Sequence, residues 1–316
     1  MQSLEIILNL KNTPPDAEST YIGRFAPSPT GPLHLGSLFT ALASFLDARS
    51  HKGLWLLRID DLDTPRNKDG SVSAILNTLE AFGLNWDDSV YYQSQHLDDY
   101  AYYLDKLEQN QLTYRCNCSR KSLAEMYPND SPNSKHSIYP GLCRNKTIPA
   151  DTPHAIRIKA EGYTLSFNDE LQGTISHNLA EQHGDFILKR KDGIIAYQFA
   201  VVVDDALQNI NHIVRGCDLL EETPKQIYLQ QLLNFPTPRY MHVPVIVDHH
   251  GYKLSKQTLA TAVDTKMPNK TLFDLLVLLK QNPPDELEDA SVAELLDWAI
   301  AYWQPEVLRL CPTISL

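Results

Sequence analysis

An α/β fold built on a doubly wound parallel sheet is what this sequence predicts, with one loop-rich insertion and a small helical region after it. Three observations carry the expectation. Strand-length apolar runs alternate with helix-length periodic ones up to about Leu112, the pattern of parallel strands joined by crossover helices. A segment rich in cysteine and proline interrupts that alternation from about Thr113. Strand-like runs return from Asp185.

Each element has its own reason. "STYIGRFA" (Ser19–Ala26) reads as a strand that runs into a loop crowded with Pro27, Pro29, Gly31 and Pro32. Leu35, Leu38, Phe39, Leu42, Phe45 and Leu46 then recur at helical spacing, giving one apolar stripe. "GLWLLRID" has the length and continuity of a strand buried on both faces. "SVSAILNTLEAF" is a helix stopped by Gly83, and "HLDDYAYYLDKLEQNQL" is the next one. The segment holding Cys116, Cys118, Pro128, Pro132, Pro140, Cys143 and Pro149 reads as a loop-rich insertion. "DFILKRKDGIIAYQFAVVVDD" reads as two strands joined by a tight turn at Asp192-Gly193. "NHIVRGCDLL" is a strand then a turn, and "TPKQIYLQQLLN" a helix with Thr223 as N-cap and Pro224 at its first position. "YMHVPVIVD" is a last strand leading into "HHGYKLSKQ". "TLFDLLVLLKQ" and "VAELLDWAIAYW" close the chain as helices.

Composition narrows the function. The chain has 316 residues and a net charge of −11, which argues against bulk nonspecific nucleic-acid binding. A local basic patch survives within the insertion: Arg115, Arg120, Lys121, Lys135, Arg144 and Lys146 against Glu125 and Asp130. These are either solvated side chains or a contact for a specific nucleic acid. The apolar runs fall short of a membrane span, and the first twenty residues lack a basic start and a small-residue cleavage site. A cytoplasmic protein without a membrane partner is expected. Five cysteines, an odd and clustered set, point to a metal site in a reducing compartment rather than a disulfide frame.

The chemistry concentrates in two loops. A loop between a parallel strand and a helix lies at the carboxyl edge of the sheet, where open α/β folds bind ligands. Unpaired amides at the helix start suit an anion there. His34 is expected one turn into the helix, aiming a donor at a phosphate oxygen. The second loop is "KLSKQ", where Lys253 and Lys256 could close over a triphosphate. Taken singly, the first loop reads as a rigid turn with a capping histidine and the second as a surface loop. Cys116-x-Cys118 with Cys143 supplies three thiolates suited to Zn²⁺.

Together the two loops resemble the paired motifs of class I aminoacyl-tRNA synthetases, with "HLGS" and "KLSKQ" in the two positions. The flank "RFAPSPTGPLHLG" and the later "LLRIDDLDTPR" are similar to glutamyl-tRNA synthetases in particular. The resemblance covers roughly Tyr21 to Thr258. It implies a Rossmann-type catalytic domain over 21–113 and 185–258, an N-terminal extension over 1–20, a zinc-bearing insertion over 114–184 and a C-terminal helical region over 259–316. An acidic tail in place of an anticodon-binding domain, with the cysteine insertion, resembles the short forms that attach glutamate to the queuosine base of tRNA(Asp). The resemblance implies formation of glutamyl-adenylate from L-glutamate and ATP, with Mg²⁺, before transfer to tRNA, by a monomer. A compact enzyme charging the 3′ end of tRNA(Glu), or a noncatalytic binding module of the same fold, are the alternatives.

It also implies roles for residues. His34, Gly36, Lys253 and Lys256 form the catalytic set, with His34, Gly36 and Lys256 on ATP. Arg24, Phe25, Ala26, Pro27, Ser28, Tyr197 and Arg215 line the glutamate. Asp60 stands where that family has glutamate, and is expected to meet the substrate ammonium across a water or a loop shift. Outside the resemblance, Tyr197 reads as core packing in an apolar strand and Arg215 as an ion pair with Asp218. For zinc, Tyr139 matches the fourth ligand by its spacing to Cys143, and His136 is the rival.

Overall fold

A computed structural model describes residues 20–125, 138–162, 164–248 and 262–316. The first half follows the alternation in the sequence. β1 (Ile22–Phe25), α1 (Leu35–Ser50), β2 (Leu54–Ile59), α2 (Ser71–Ala81), β3 (Asp87–Tyr92) and α3 (Leu97–Gln109) succeed one another, with β1, β2 and β3 parallel. Gly83 ends α2 at φ +68°, a left-handed turn that glycine adopts without strain. The unexpected member is β3, whose "DDSVYY" carries charge at its exposed start.

The middle of the chain is more ordered than its prolines suggest. β4 (Thr113–Cys116), the short helix α4 (Arg120–Ala124) and β5 (Ala155–Ile158) are followed by the hairpin β6 (Thr164–Asp169) and β7 (Gly173–Asn178). A single turn, α5 (Leu179–Gln182), then leads to β8 (Ile187–Lys189), and β4, β5 and β8 form a small antiparallel sheet. The turn at Asp192-Gly193 forms, with Arg190 N–H donating to Ile194 O. Its second arm does not continue as a strand. After Ala196 the chain becomes α6 (Tyr197–Leu207). Phe199 to Asp205 are all buried there, and a helix covered on every side shows neither period, so its Val-Val-Val run imitates a strand.

β9 (His212–Gly216) leads through a 3-10 turn, Cys217–Glu222, to α7 (Thr223–Leu233). Thr223 is the first residue of α7 rather than its cap, because that preceding turn already supplies the entry. β10 (Arg239–Val243) and β11 (Val245–Val247) are split at Pro244. β10 lies parallel to β9 and to β6, giving the order β7-β6-β10-β9. β1 lies beside β9: Asn211 N–H donates to Ile22 O (3.0 Å), and Ile22 N–H donates to Asn211 Oδ1 (2.8 Å). The chain thus winds outward from that seam in both directions.

The last region, α8 (Pro268–Leu278), α9 (Val292–Ala301) and β12 (Thr313–Ser315), is part of the main core. β12 pairs with β11, and Trp303 Nε1 donates to the buried Asp47 Oδ1 at 3.0 Å. This packing explains a departure in α1. Leu38, Phe39 and all of Ala41 to Ala48 are buried, not one stripe, because the sheet covers one face and α9 with Trp303 covers the other. Among the described residues no helix is long and apolar enough to cross a membrane.

Candidate active site

A cavity of about 350 Å³ opens at the carboxyl ends of β1 and β9, at the seam where the strand order reverses. Such a switch point is where parallel sheets leave a crevice between diverging loops. Arg24, Phe25, Ala26, Pro27 and Ser28 line it from the loop after β1. His34, Gly36 and Ser37 line it from the start of α1, Tyr197 from the start of α6, and Arg215 and Gly216 from the end of β9. Nine residues named from the sequence therefore line one cavity, Arg24, Phe25, Ala26, Pro27, Ser28, His34, Gly36, Tyr197 and Arg215; Asp60 does not line it, though its amide donates to Pro27 O (3.0 Å). Lys253 and Lys256 lie outside the described residues.

His34 is the N-cap of α1, not a residue one turn inside it. Its Nδ1 accepts from Ser37 N–H (3.2 Å), and its Nε2 meets Ser37 Oγ (3.0 Å). His34 is itself extended (φ −102°, ψ 167°), the backbone of a cap rather than of a helical residue. Gly36 and Ser37 of the first turn line the cavity, and the Ser37 amide is already taken by His34 O (2.9 Å) and Nδ1. Ala262 pairs with His34 in an antiparallel bridge, and Val263 N–H donates to Leu33 O (3.0 Å). Val245 and Ile246 line the same cavity, so described residues on both sides of 249–261 lie beside it.

The electrostatics rest on a buried cluster behind these walls. Arg58 has no exposed surface and meets three carboxylates: Asp60 (2.8 Å), Asp205 (2.7 Å) and, more distantly, Asp204 (3.8 Å). Arg24 Nε shares Asp205 Oδ1 at 3.0 Å. Asp204 in turn accepts from Tyr100 (2.7 Å), Tyr91 (3.1 Å) and Gln93 (2.7 Å). Burial pushes the Asp60 carboxyl up to about 6, against the pull of Arg58, and the nearby Asp204 adds to the rise. Asp205 ends below the usual carboxylate range, because two guanidinium groups outweigh its burial. Asp60 thus engages Arg58 in the free protein, and it is not among the residues lining the cavity. Arg58 was not singled out as a site residue, although "LLRIDD" displays an arginine inside an otherwise apolar strand, which is the signal for a buried, paired charge.

Arg215 is held differently. Its Nε donates to His242 Nε2 (3.0 Å) and one terminal nitrogen to Thr223 Oγ1 (2.8 Å). No described carboxylate pairs with it, so the ion pair with Asp218 does not form. Asp218 instead presses its carboxylate against Gly216, where an added Cβ would meet Oδ1 at 2.5 Å. Tyr197 sits at the N-terminus of α6, its phenol raised by burial and drawn back by Arg215.

The cysteines form a second centre. Cys118 Sγ lies 3.5 Å from Cys143 Sγ. Tyr139 Oη lies 3.4 Å from Cys116 Sγ and 3.6 Å from Cys118 Sγ. All three sulfurs fall within 4.8 Å of one another. Tyr139 Oη also accepts from Cys143 N–H (3.0 Å), and Arg157 lies over the tyrosine ring at 3.8 Å. His136 lies outside the described residues. Asp185 fastens this knob to the small sheet. It accepts from Tyr114 Oη (2.5 Å), Ala160 N–H (2.7 Å) and Arg144 Nε (2.9 Å).

Comparison with known proteins shows the family. A family profile described as "tRNA synthetases class I (E and Q), catalytic domain" matches residues 22–280. The chain is 50% identical over 297 residues to a glutamyl-Q tRNA(Asp) synthetase of Thiobacillus denitrificans, covering 93% of this chain and 97% of that one. It is 48% identical over 290 residues to a protein of the same name from Aromatoleum aromaticum, covering 91% and 90%. In fold it is similar to a glutamate tRNA ligase from Elizabethkingia meningosepticum solved with its amino acid, at TM-score 0.78 and 24% identity over 94% of this chain and 67% of that one. The glutamate-tRNA synthetase of Elizabethkingia anophelis gives TM-score 0.79 at the same identity, covering 94% and 68%. The chain belongs to the class I tRNA synthetases and, within them, to the family of glutamyl-Q tRNA(Asp) synthetases.

Proposed function

We propose that the chain activates L-glutamate with ATP and Mg²⁺ in the absence of tRNA, then passes the glutamyl group to the queuosine base in the anticodon of tRNA(Asp). The observation that carries the reading is the convergence of Arg24, Arg215, Tyr197 and the start of α1 on one switch-point cavity. Cations there suit the carboxylates of glutamate, and helix-start amides suit a phosphate. In the first step a carboxylate oxygen of glutamate bonds to the α-phosphorus, and the bond to pyrophosphate breaks. Such a reaction asks the protein for position and fixed dipoles rather than a covalent partner. Lys256, beyond the described residues, would carry the mobile positive charge. The second step forms an ester to a hydroxyl of the queuosine cyclopentene ring and releases AMP. We place the catalytic domain over 21–113 and 185–258, the insertion over 114–184 and the helical region over 259–316.

Zn²⁺ would be held by Cys116, Cys118, Cys143 and Tyr139. A tetrahedral ion about 2.3 Å from sulfur and about 2 Å from oxygen requires sulfur–sulfur edges of about 3.8 Å and sulfur–oxygen edges of about 3.5 Å; the Cys118–Cys143 edge is 3.5 Å and the two edges to Tyr139 Oη are 3.4 and 3.6 Å. The ion would staple a knob whose own core is small. The deciding experiment measures glutamate-dependent ATP–pyrophosphate exchange without tRNA, then transfer of labelled glutamate to tRNA(Asp) with and without queuosine. Labelling only the queuosine form supports the reading. Labelling the 3′ end of tRNA(Glu) overturns it in favour of a compact glutamyl-tRNA synthetase.

A further inference from the structure

Arg24 and Arg58 reach the cavity with their charge already answered by Asp205, Asp60 and Asp204. Arg215 is the contrast. It is 4% exposed, and it donates only to neutral acceptors among the described residues: His242 Nε2, Thr223 Oγ1 and, at 3.4 Å, Leu219 O. Its remaining terminal nitrogen is buried without a partner. Tyr240 lies under the guanidinium at 5.5 Å. An arginine nitrogen cannot accept, so His242 Nε2 must, and the imidazole proton sits on Nδ1. That proton points at Asp169 Oδ2, 2.6 Å away. Asp169 has no freedom to turn: its other oxygen accepts from the amides of Leu171 (3.1 Å), Gln172 (2.9 Å) and His242 (3.2 Å).

We propose that Asp169 and His242 are positioning residues that present Arg215 to the substrate as an unanswered cation, and so make the site prefer a side-chain carboxylate over the corresponding amide. A carboxylate at the position of His242 would hold Arg215 as firmly but would neutralise it. A neutral imidazole, fixed in one tautomer by an acid one step removed, holds the fork and leaves its charge for the ligand. The buried arginine donor is then completed by the substrate's own oxygen. An amide offers one oxygen with no charge, and its nitrogen would face a second donor. The arrangement also gives the β6–β7 hairpin a part in specificity, since Asp169 enters the site only because β6 pairs with β10.

This inference rests on the proposed activation of glutamate, and one experiment separates the two. Glutamate-dependent pyrophosphate exchange is measured for the wild type, His242→Phe, His242→Gln and Thr223→Val, with glutamine as competing substrate. Gln places an acceptor near the Nε2 position; Phe removes it. The expected result for His242→Phe is a glutamate KM raised about tenfold or more, with the ATP KM within about twofold and glutamate-over-glutamine discrimination reduced by about fivefold or more. His242→Gln should recover most of the glutamate KM. Thr223→Val, a near-isosteric change that keeps the histidine, should raise it about threefold and covers the case in which the Phe variant does not fold. Equal changes in both KM values, unchanged discrimination, or no recovery with Gln overturns this inference alone. A wild type without exchange overturns the parent reading and this one with it.

Discussion

Replacing Arg58 with Met tests whether the cavity stands on a shared buried cation. Arg58 is fully buried and touches Asp60, Asp205 and Asp204 within 4 Å. Methionine fills much of its volume and answers none of the acids. Removing one partner of a buried ion pair costs about 3–5 kcal/mol, because the remaining charge is stranded. Asp205 keeps Arg24, and Asp204 keeps two phenols and Gln93, so the loss falls mainly on Asp60 and stays within that range. The sign with pH is fixed by Asp60, whose carboxyl is already raised to about 6. A group raised on folding contributes stability below its unfolded pKa, about 3.9, and loses it as pH climbs through the folded value. Without Arg58 that value climbs further, so acidification from pH 7 to pH 5 should return about 1 kcal/mol more stability to the variant than to the wild type. Urea unfolding of both proteins at the two pH values measures this. A deficit under 1 kcal/mol at pH 7, or one that does not shrink at pH 5, would refute the reasoning.

Other perturbations probe the remaining parts. Cys116→Ser should lower bound zinc from one per chain by elemental analysis, and undiminished zinc would remove that residue from the site. Asp185→Ala strands the Tyr114 hydroxyl and the Ala160 amide, while the part-exposed Arg144 keeps Ala160 O, so it should cost about 2–3 kcal/mol and speed zinc loss to a chelator; unchanged release would detach Asp185 from the metal knob. Trp303→Phe removes the donor to buried Asp47 and should cost about 1–3 kcal/mol in urea unfolding, where a neutral result would separate the last region from the core. Reversing the charge of Arg120 and Lys121 together should weaken tRNA(Asp) binding and flatten its dependence on salt by about two counterions, and equal affinity would exclude that segment as a contact.

The legible parts of the fold were those whose pattern is local. α1, α2, α3 and β2 carry periodicity or continuity that survives in isolation. α6 was misread because burial on all sides erases the contrast between faces. The hairpin β6–β7 went unseen because its exposed face is polar and its place in the sheet depends on β10, seventy residues away. The site divides in the same way. Residues on the loop after β1 were readable through their motif, whereas Arg58, Asp205, Asp169 and His242 become partners only after the sheet forms. No spacing in the sequence joins Asp169 to His242. Thr223 looked like a cap by its neighbour Pro224, and its hydroxyl serves Arg215 instead.

A crystal structure of the chain with a nonhydrolysable glutamyl-adenylate analogue tests the central claim most directly. The account predicts the adenylate phosphate at the start of α1, against His34 and Gly36, with the glutamyl side-chain carboxylate on the open terminal nitrogen of Arg215. An analogue bound away from the seam between β1 and β9, or one that turns its carboxylate from Arg215, would contradict it.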